Sequence, residues 1–256
     1  MTEDAGPRTA EVYDVVRRRG EHEMERPSTS LWWSGVAGGL SISFSLLAQA
    51  ILQLGLPDAP GQTLIVSAGF SVGFLMVVLS GQQLFTEATI TVVLPVLANL
   101  RWAAVLQLAR VWAIVLAANI AGTLFAALFC SFTPVVTPEQ LGAMLDISGR
   151  VMQHGWLEMF FKAISAGFLM AGMVWLLPGA EANRFWVIAL ITWLIGVGGF
   201  VHIVTGSMEA FLLVVNGKLG IGAMLGRFAA PTLVGNIVGG TVLFAVLAYA
   251  QVMQEV

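Results

Sequence analysis

The chain has 256 residues, 57% of them hydrophobic and 11% charged, with a formal net charge of −3 and a mean hydropathy of +0.85. That hydropathy lies far outside the range of water-soluble domains and makes the chain an integral membrane protein. One cysteine, Cys130, excludes a disulfide framework and a cysteine metal site, and no cofactor or nucleic-acid partner is expected.

Residues 1–30 hold 12 of the 27 Asp, Glu, Lys and Arg, including Arg17, Arg18 and Arg19. No apolar stretch of signal-peptide length follows these basic residues, so the segment reads as a cytoplasmic polar tail or surface helix. The transmembrane channel domain is expected over 31–256.

Apolar runs then fall near 31–54, 62–98, 103–130, 158–178, 185–216 and 223–251. A crossing helix needs roughly 20 such residues, so six spans are predicted. The second and fifth runs are too long for one simple crossing, and each is interrupted: GQQLFTEAT occupies 81–89 and GVGGFVHIVTGSME occupies 196–209. Arg17 to Arg19, Arg26, Arg101 and Arg184 fall on one side of this scheme and Arg150 and Lys218 on the other, which predicts both termini in the cytoplasm. The longest connection, 131–157, is then an outer loop.

A shift of 117 residues lays Arg110 on Arg227, Asn119-Ile120 on Asn236-Ile237, Gly122 on Gly239, Gly81 on Gly198 and Phe85 on His202. Two three-span repeats, about 31–130 and 158–251, are therefore expected. An odd number of spans per repeat inverts the second copy, so the fold class is an all-α, aquaporin-like 3+3 architecture with spans two and five broken. The two breaks meet near the middle of the membrane.

Backbone that leaves the helix inside a bilayer must be buried in protein or line a wet cavity. Half-helices are expected to restart near Thr86 and Ser207, with their N–H groups and positive dipole ends turned to the centre. Thr86 caps the first in this reading, and Thr205 or Ser207 the second. His202 is the histidine within an apolar span, and an ionisable group there is a functional candidate by default. Phe70 and Phe74, four residues apart, share a helical face and form an apolar constriction or ordinary packing. Arg110, Arg227 and Lys162 either draw anions to the mouths or snorkel. Trp32, Trp33, Trp102, Trp156 and Trp186 read as interface anchors. His154, Asp146 and Glu158 read as dispersed solvated surface around the outer loop.

FSVGFLMVVLSGQQLFT at 70–86, GGFVHIVTGSME at 198–209 and GNIVGG at 235–240 together resemble the formate/nitrite transporter family. The resemblance implies a homopentamer in an inner or plasma membrane, each protomer passing small monovalent anions or their weak acids, with protons. It implies Leu84, Phe85 and Thr86 as the central loop, His202 as the central histidine, Asn236 as the sixth-span asparagine, and Phe70, Phe74 and Ile195 as constrictions. The chain departs from the family pattern at Gly167, Val201 and Gly206, and in the branch-specific GQQLFTE loop. Glu87 and Glu209 oppose the positive ends of the half-helices, so they are expected to be protonated, to be paired with His202 or an arginine, or to serve a permeant species that is not a simple anion. A neutral-solute channel, an ammonium or cation pathway, and a partner-organising membrane protein are the competing readings. Asn-Pro-Ala occurs in neither half, and no enzyme is expected.

Overall fold

The polar interruptions stop and restart helices at the places where the apolar runs are too long. In the computed structural model, which describes residues 8–253, all regular structure among those residues is helical. A tail helix α1 (Thr9–Glu25) precedes the first span, α2 (Ser28–Gly55). Span two is α3 (Gln62–Leu79) plus α4 (Phe85–Ala98), and span three is α5 (Trp102–Phe132). The short helix α6 (Pro138–Val151) leads to span four, α7 (Trp156–Leu176). Span five is α8 (Arg184–Val197) plus α9 (Ile203–Val215), and span six is α10 (Ile221–Val252). Residues such as Leu106, Phe125, Leu190 and Leu247 are more than half exposed on its outside, as a lipid- or subunit-facing wall requires.

Within each repeat the outer two spans touch backbone to backbone. A Cβ added to Gly122 of α5 would sit 2.4 Å from the Val36 carbonyl oxygen of α2, and one added to Gly239 of α10 would sit 2.0 Å from the Ile164 carbonyl oxygen of α7. These are the two glycines matched by the 117-residue shift. Absent side chains at such seams let helices approach closely where lipid supplies no hydrophobic drive. Span six is the less regular partner: Met224–Ala229 and Val238–Ala245 are π-helical. The first wide turn lies just before Pro231, whose nitrogen has no hydrogen to give an α-helical bond.

Residues 9–25 form an amphipathic helix seated on the membrane domain. Val12, Tyr13, Val16, Gly20 and Met24 are buried, and Tyr13 meets Tyr249 at the end of α10 with ring centroids 6.1 Å apart. A Cβ on Gly20 would lie only 1.8 Å from the Thr91 carbonyl oxygen in α4. We call the side bearing α1 the tail face and the opposite side the far face.

The predicted outer loop contains the helix α6, which roofs the far face. Its start is a capping box: Gln140 N donates to Thr137 Oγ1 at 3.3 Å, Thr137 N donates to Gln140 Oε1 at 2.9 Å, and Pro138 takes the first helical position. Its buried face, with Met144 and Ile147, packs against α2 and α9.

Candidate functional site

The two breaks are built alike. After α3, Gly81 takes φ +65° and Gln82 N reaches back to the Val77 carbonyl at 3.0 Å. After α8, Gly199 takes φ +58° and Phe200 N reaches the Ile195 carbonyl at 3.0 Å. Both are left-handed helix stops that satisfy otherwise orphaned carbonyls. Three residues later the chain is extended at Leu84 (φ −125°, ψ 127°) and at His202 (φ −112°, ψ 130°), and the half-helices begin at Phe85 and Ile203.

Matched asparagines hold these turns. Asn119 Oδ1 accepts from Phe85 N at 2.9 Å while its Nδ2 donates to the carbonyls of Gly35 (2.8 Å) and Gln83 (2.9 Å). Asn236 Oδ1 accepts from Ile203 N at 2.8 Å while its Nδ2 donates to Ala163 (2.8 Å) and Val201 (3.0 Å). The asparagines obey the 117-residue shift, but the turns are offset by 118, so His202 corresponds to Leu84 and Gly199 to Gly81. The alignment of Phe85 with His202 and of Gly81 with Gly198 is corrected accordingly. The second turn therefore stands one residue nearer to its asparagine than the first does.

The expected starts and caps also change. The second half-helix begins at Ile203, not near Ser207, and its cap is the imidazole. His202 Nδ1 accepts from Val204 N (3.2 Å) and Thr205 N (3.3 Å). Ser207 and Thr205 instead donate back to the carbonyls of Ile203 (2.6 Å) and His202 (3.4 Å). Thr86 caps nothing. Its Oγ1 lies 2.6 Å from His202 Nε2, joining the two half-helices across the inverted repeats. Two backbone N–H groups occupy Nδ1, so the one ring proton of the neutral imidazole is on Nε2 and is given to Thr86. The threonine hydroxyl hydrogen has no other bond among the described residues.

His202 is 1% exposed and its ring lies edge-on to Phe74, with centroids 5.1 Å apart; Phe74 in turn meets the Phe70 ring at 5.1 Å, tilted by 41°. Phe70, Ile195 and Val201 line the base of a cavity of about 360 Å³ that opens from His202 toward the far face. Gln49, Gln53, Arg150, Thr205 and Glu209 line its upper walls. His202, Thr205 and Glu209 thus share one face of α9.

The charged candidates separate. Arg110 does not face this cavity: it donates to Ser28 Oγ (3.2 Å), to the Met24 carbonyl (3.2 Å) and to the Arg26 carbonyl, fixing the α1–α2 junction. Arg227 is exposed in the π-helical turn of α10. Lys162 belongs to a cluster at the far-face rim, where Nζ is 3.0 Å from His154 Nε2 and 3.3 Å from Glu158 Oε1, and His154 Nδ1 is 2.8 Å from the same carboxylate. His154 and Glu158 are therefore part of one cluster, not dispersed surface. The Lys162 ammonium would lie 3.7 Å from a Cβ on Gly199.

Of the three outcomes open for Glu87, pairing is realised. Its Oε2 is 3.0 Å from Arg19 Nη2 of the tail helix, and Oε1 is buried without a partner. Glu209 is 6% exposed and has no partner among the described residues. Two family departures have steric reasons: a Cβ on Gly167 would sit 2.3 Å from the Asn236 carbonyl oxygen, and one on Gly206 would sit 2.6 Å from the Phe228 ring. Asn119, Arg19, Trp112 and the glutamines of the cavity were not among the expected site residues. Trp112 donates to the Ala88 carbonyl at 3.0 Å and meets the Phe85 ring.

Residues 10–250 match the family model described as formate/nitrite transporter. The inner membrane protein YfdC of Escherichia coli is 43% identical over 100% of this chain and 83% of its own length. The formate channel FocA of Haemophilus influenzae is 25% identical over 92% of this chain and 91% of its own. Among solved structures, a pentameric formate channel with formate bound aligns with a TM-score of 0.75 at 19% identity, covering 90% of this chain and 98% of that one. A second, an FNT family ion channel, aligns with a TM-score of 0.79 at 18% identity, covering 95% and 98%. At these identities the structures speak for the fold.

Proposed function

The chain belongs to the formate/nitrite transporter family, and from that premise we propose that it is a membrane channel for small monovalent anions and their weak acids, of the formate, nitrite, lactate or hydrosulfide class. The observation that carries the proposal is the 2.6 Å contact between Thr86 and His202 at the foot of a cavity, where two inverted half-helices meet. A species descending that cavity passes the Phe70, Ile195 and Val201 collar and loses water there. A bare charge is penalised far more than a neutral molecule in such surroundings, so passage with a proton is the easier route. At the centre the free hydroxyl hydrogen of Thr86 is offered to an oxygen or sulfur of the substrate, while His202 holds the hydroxyl in place. Leu84, in the equivalent seat of the first repeat, supplies the apolar counterpart on the tail-face side.

The tail face carries the Arg17 to Arg19 run, Arg101 and Arg184, which supports cytoplasmic termini. Likeness to a pentameric formate channel supports a homopentamer, with one pore per protomer. Glu87 and Glu209 favour one competing reading, an ammonium or cation pathway. A liposome flux panel of formate, nitrite, lactate, hydrosulfide, ammonium and glycerol at two pH values separates them, run with the wild type and His202→Ala. Acid-class flux that rises at the lower pH and is lost in the variant is expected. Flux of ammonium or glycerol alone overturns the reading.

A further inference from the structure

We propose that Gln49 and Ser67 are specificity residues of the far-face cavity that read an oxygen on the carbon next to a carboxylate, favouring short 2-hydroxy and 2-oxo acids over plain acids of the same length; this rests on the channel reading above. Both side chains line the cavity, at 9% and 3% exposure. Other buried hydroxyls of the spans are engaged by backbone: Ser43, Ser45, Ser71 and Thr192 each donate to a carbonyl, as such groups in helices commonly do. The Ser67 hydroxyl and the Gln49 amide have no partner among the described residues. Neither belongs to the sealed polar atoms that lack one, which are Gln82 Oε1, Glu87 Oε1 and Thr232 Oγ1. Their polar ends therefore open onto the cavity.

Close backbone contacts fix the pair just above the collar. A Cβ on Gly69 of α3 would lie 2.6 Å from Gln49 N of α2, and one on Gly196 of α8 would lie 3.2 Å from the Cβ atoms of both Ser67 and Phe70. Three helices thus converge here, and Ser67 stands one turn above Phe70 on the same face. Polar side chains at such depth in a span are costly, which favours a use for them. One turn farther along α2, about 6 Å from Gln49, Gln53 Oε1 accepts from Arg150 Nη2 at 2.6 Å. That bond holds the guanidinium at the cavity wall and leaves its remaining N–H groups without a partner among the described residues.

The guanidinium fork matches a carboxylate. A carboxylate seated there turns the rest of the molecule toward Gln49 and Ser67, and two hydrogen bonds of ~2.8 Å with a two-carbon acid between them cover the distance. A hydroxyl or carbonyl oxygen on the second carbon is then met by an amide and a hydroxyl, each of which can give or accept. A plain acid presents a methyl or methylene group instead, and satisfies one end of the site at a time. Glu209 lines the same cavity, and its burial without a paired cation favours the neutral acid, so it does not turn a carboxylate away. The choice is made above the Phe70 collar, before water is lost.

The test measures how glycolate and acetate, and likewise lactate and propionate, inhibit formate influx into liposomes. Wild type, Gln49→Met and Ser67→Ala are compared at one pH, each checked for assembly by gel filtration. Discrimination is the inhibition constant of the plain acid divided by that of its hydroxy partner, so differences in acid strength cancel between proteins. It is expected to fall about fivefold or more in Gln49→Met and about threefold or more in Ser67→Ala, the range of one lost hydrogen bond. Either variant suffices if the other fails to assemble. Discrimination unchanged in the variants that assemble overturns the proposal and leaves the channel reading intact, as does a wild type whose formate influx neither hydroxy acid inhibits. Absence of formate influx in the wild type overturns the channel reading itself.

Discussion

Asn119 and Asn236 perform the same task in the two halves of the chain: each amide oxygen takes the first N–H of a half-helix, and each amide nitrogen ties down the carbonyl two residues before it. Both side chains are fully buried. Replacing either by Ala leaves two backbone groups of the turn unmatched, the first N–H of the half-helix and the carbonyl two residues before it, at about 1–3 kcal/mol for each one left unsatisfied. Asn119→Asp is expected to be no milder, since a carboxylate cannot donate to the Gly35 and Gln83 carbonyls. Thermal unfolding in detergent reads the loss; an Asp variant as stable as wild type contradicts the assignment.

His202 caps its half-helix and, in the proposed mechanism, holds the Thr86 hydroxyl, and different substitutions separate the two. Ala removes both the ring and the acceptor for Val204 and Thr205 N–H, so His202→Ala loses stability as well as flux. Asn is among the better N-caps, so His202→Asn is expected to unfold within about 1 kcal/mol of wild type while carrying little substrate. Paired unfolding and flux measurements check this, and full flux in the Asn variant refutes a role for the ring.

Thr86 is predicted to act through its hydroxyl. Thr86→Ser keeps the partner of His202 Nε2 and the free hydroxyl hydrogen, and most of the flux. Thr86→Val is nearly isosteric, abolishes both, and lowers flux about tenfold or more, in the range of a lost bond to a buried polar group. Equal flux in the two variants counts against the mechanism.

Much of this arrangement was legible in advance. The six spans follow from run length, and both breaks from glycine and polar residues where lipid tolerates neither. The glycine seams surfaced as one internal shift. What escaped were contacts made at long range. Caps are sought among Ser, Thr, Asp and Asn, so an imidazole capping its own half-helix passed unnoticed, and Thr86 was given a local task while its hydroxyl serves a residue 116 positions away. Nothing near Arg19 in sequence marks Glu87 as its partner. The capping box at Thr137 and Gln140 is readable in the sequence as a helix start inside the long connection.

Arg19 and Glu87 couple the tail helix to the first half-helix. Arg19→Ala strands a buried carboxylate and is expected to cost about 1–3 kcal/mol, below the full cost of breaking a sealed pair because Arg19 is partly exposed. The double variant Arg19→Ala/Glu87→Gln recovers most of that loss. Chemical denaturation of the four proteins of the cycle measures it; a double variant no better than Arg19→Ala shows the pair to be uncoupled.

Gly167 is required by backbone contact. Gly167→Asn is predicted to destabilise, since the new Cβ meets the Asn236 backbone and pushes on α10. Overpacking of this kind costs about 1–3 kcal/mol. A lower unfolding temperature with reduced flux is expected; a more stable variant disproves the steric account.

The correspondence of His202 with Leu84 sets a stoichiometric ceiling. The inverted halves provide two equivalent seats, and only one, His202, holds an ionisable side chain, the other being Leu84. Any coupling routed through these seats transfers at most one proton per passage.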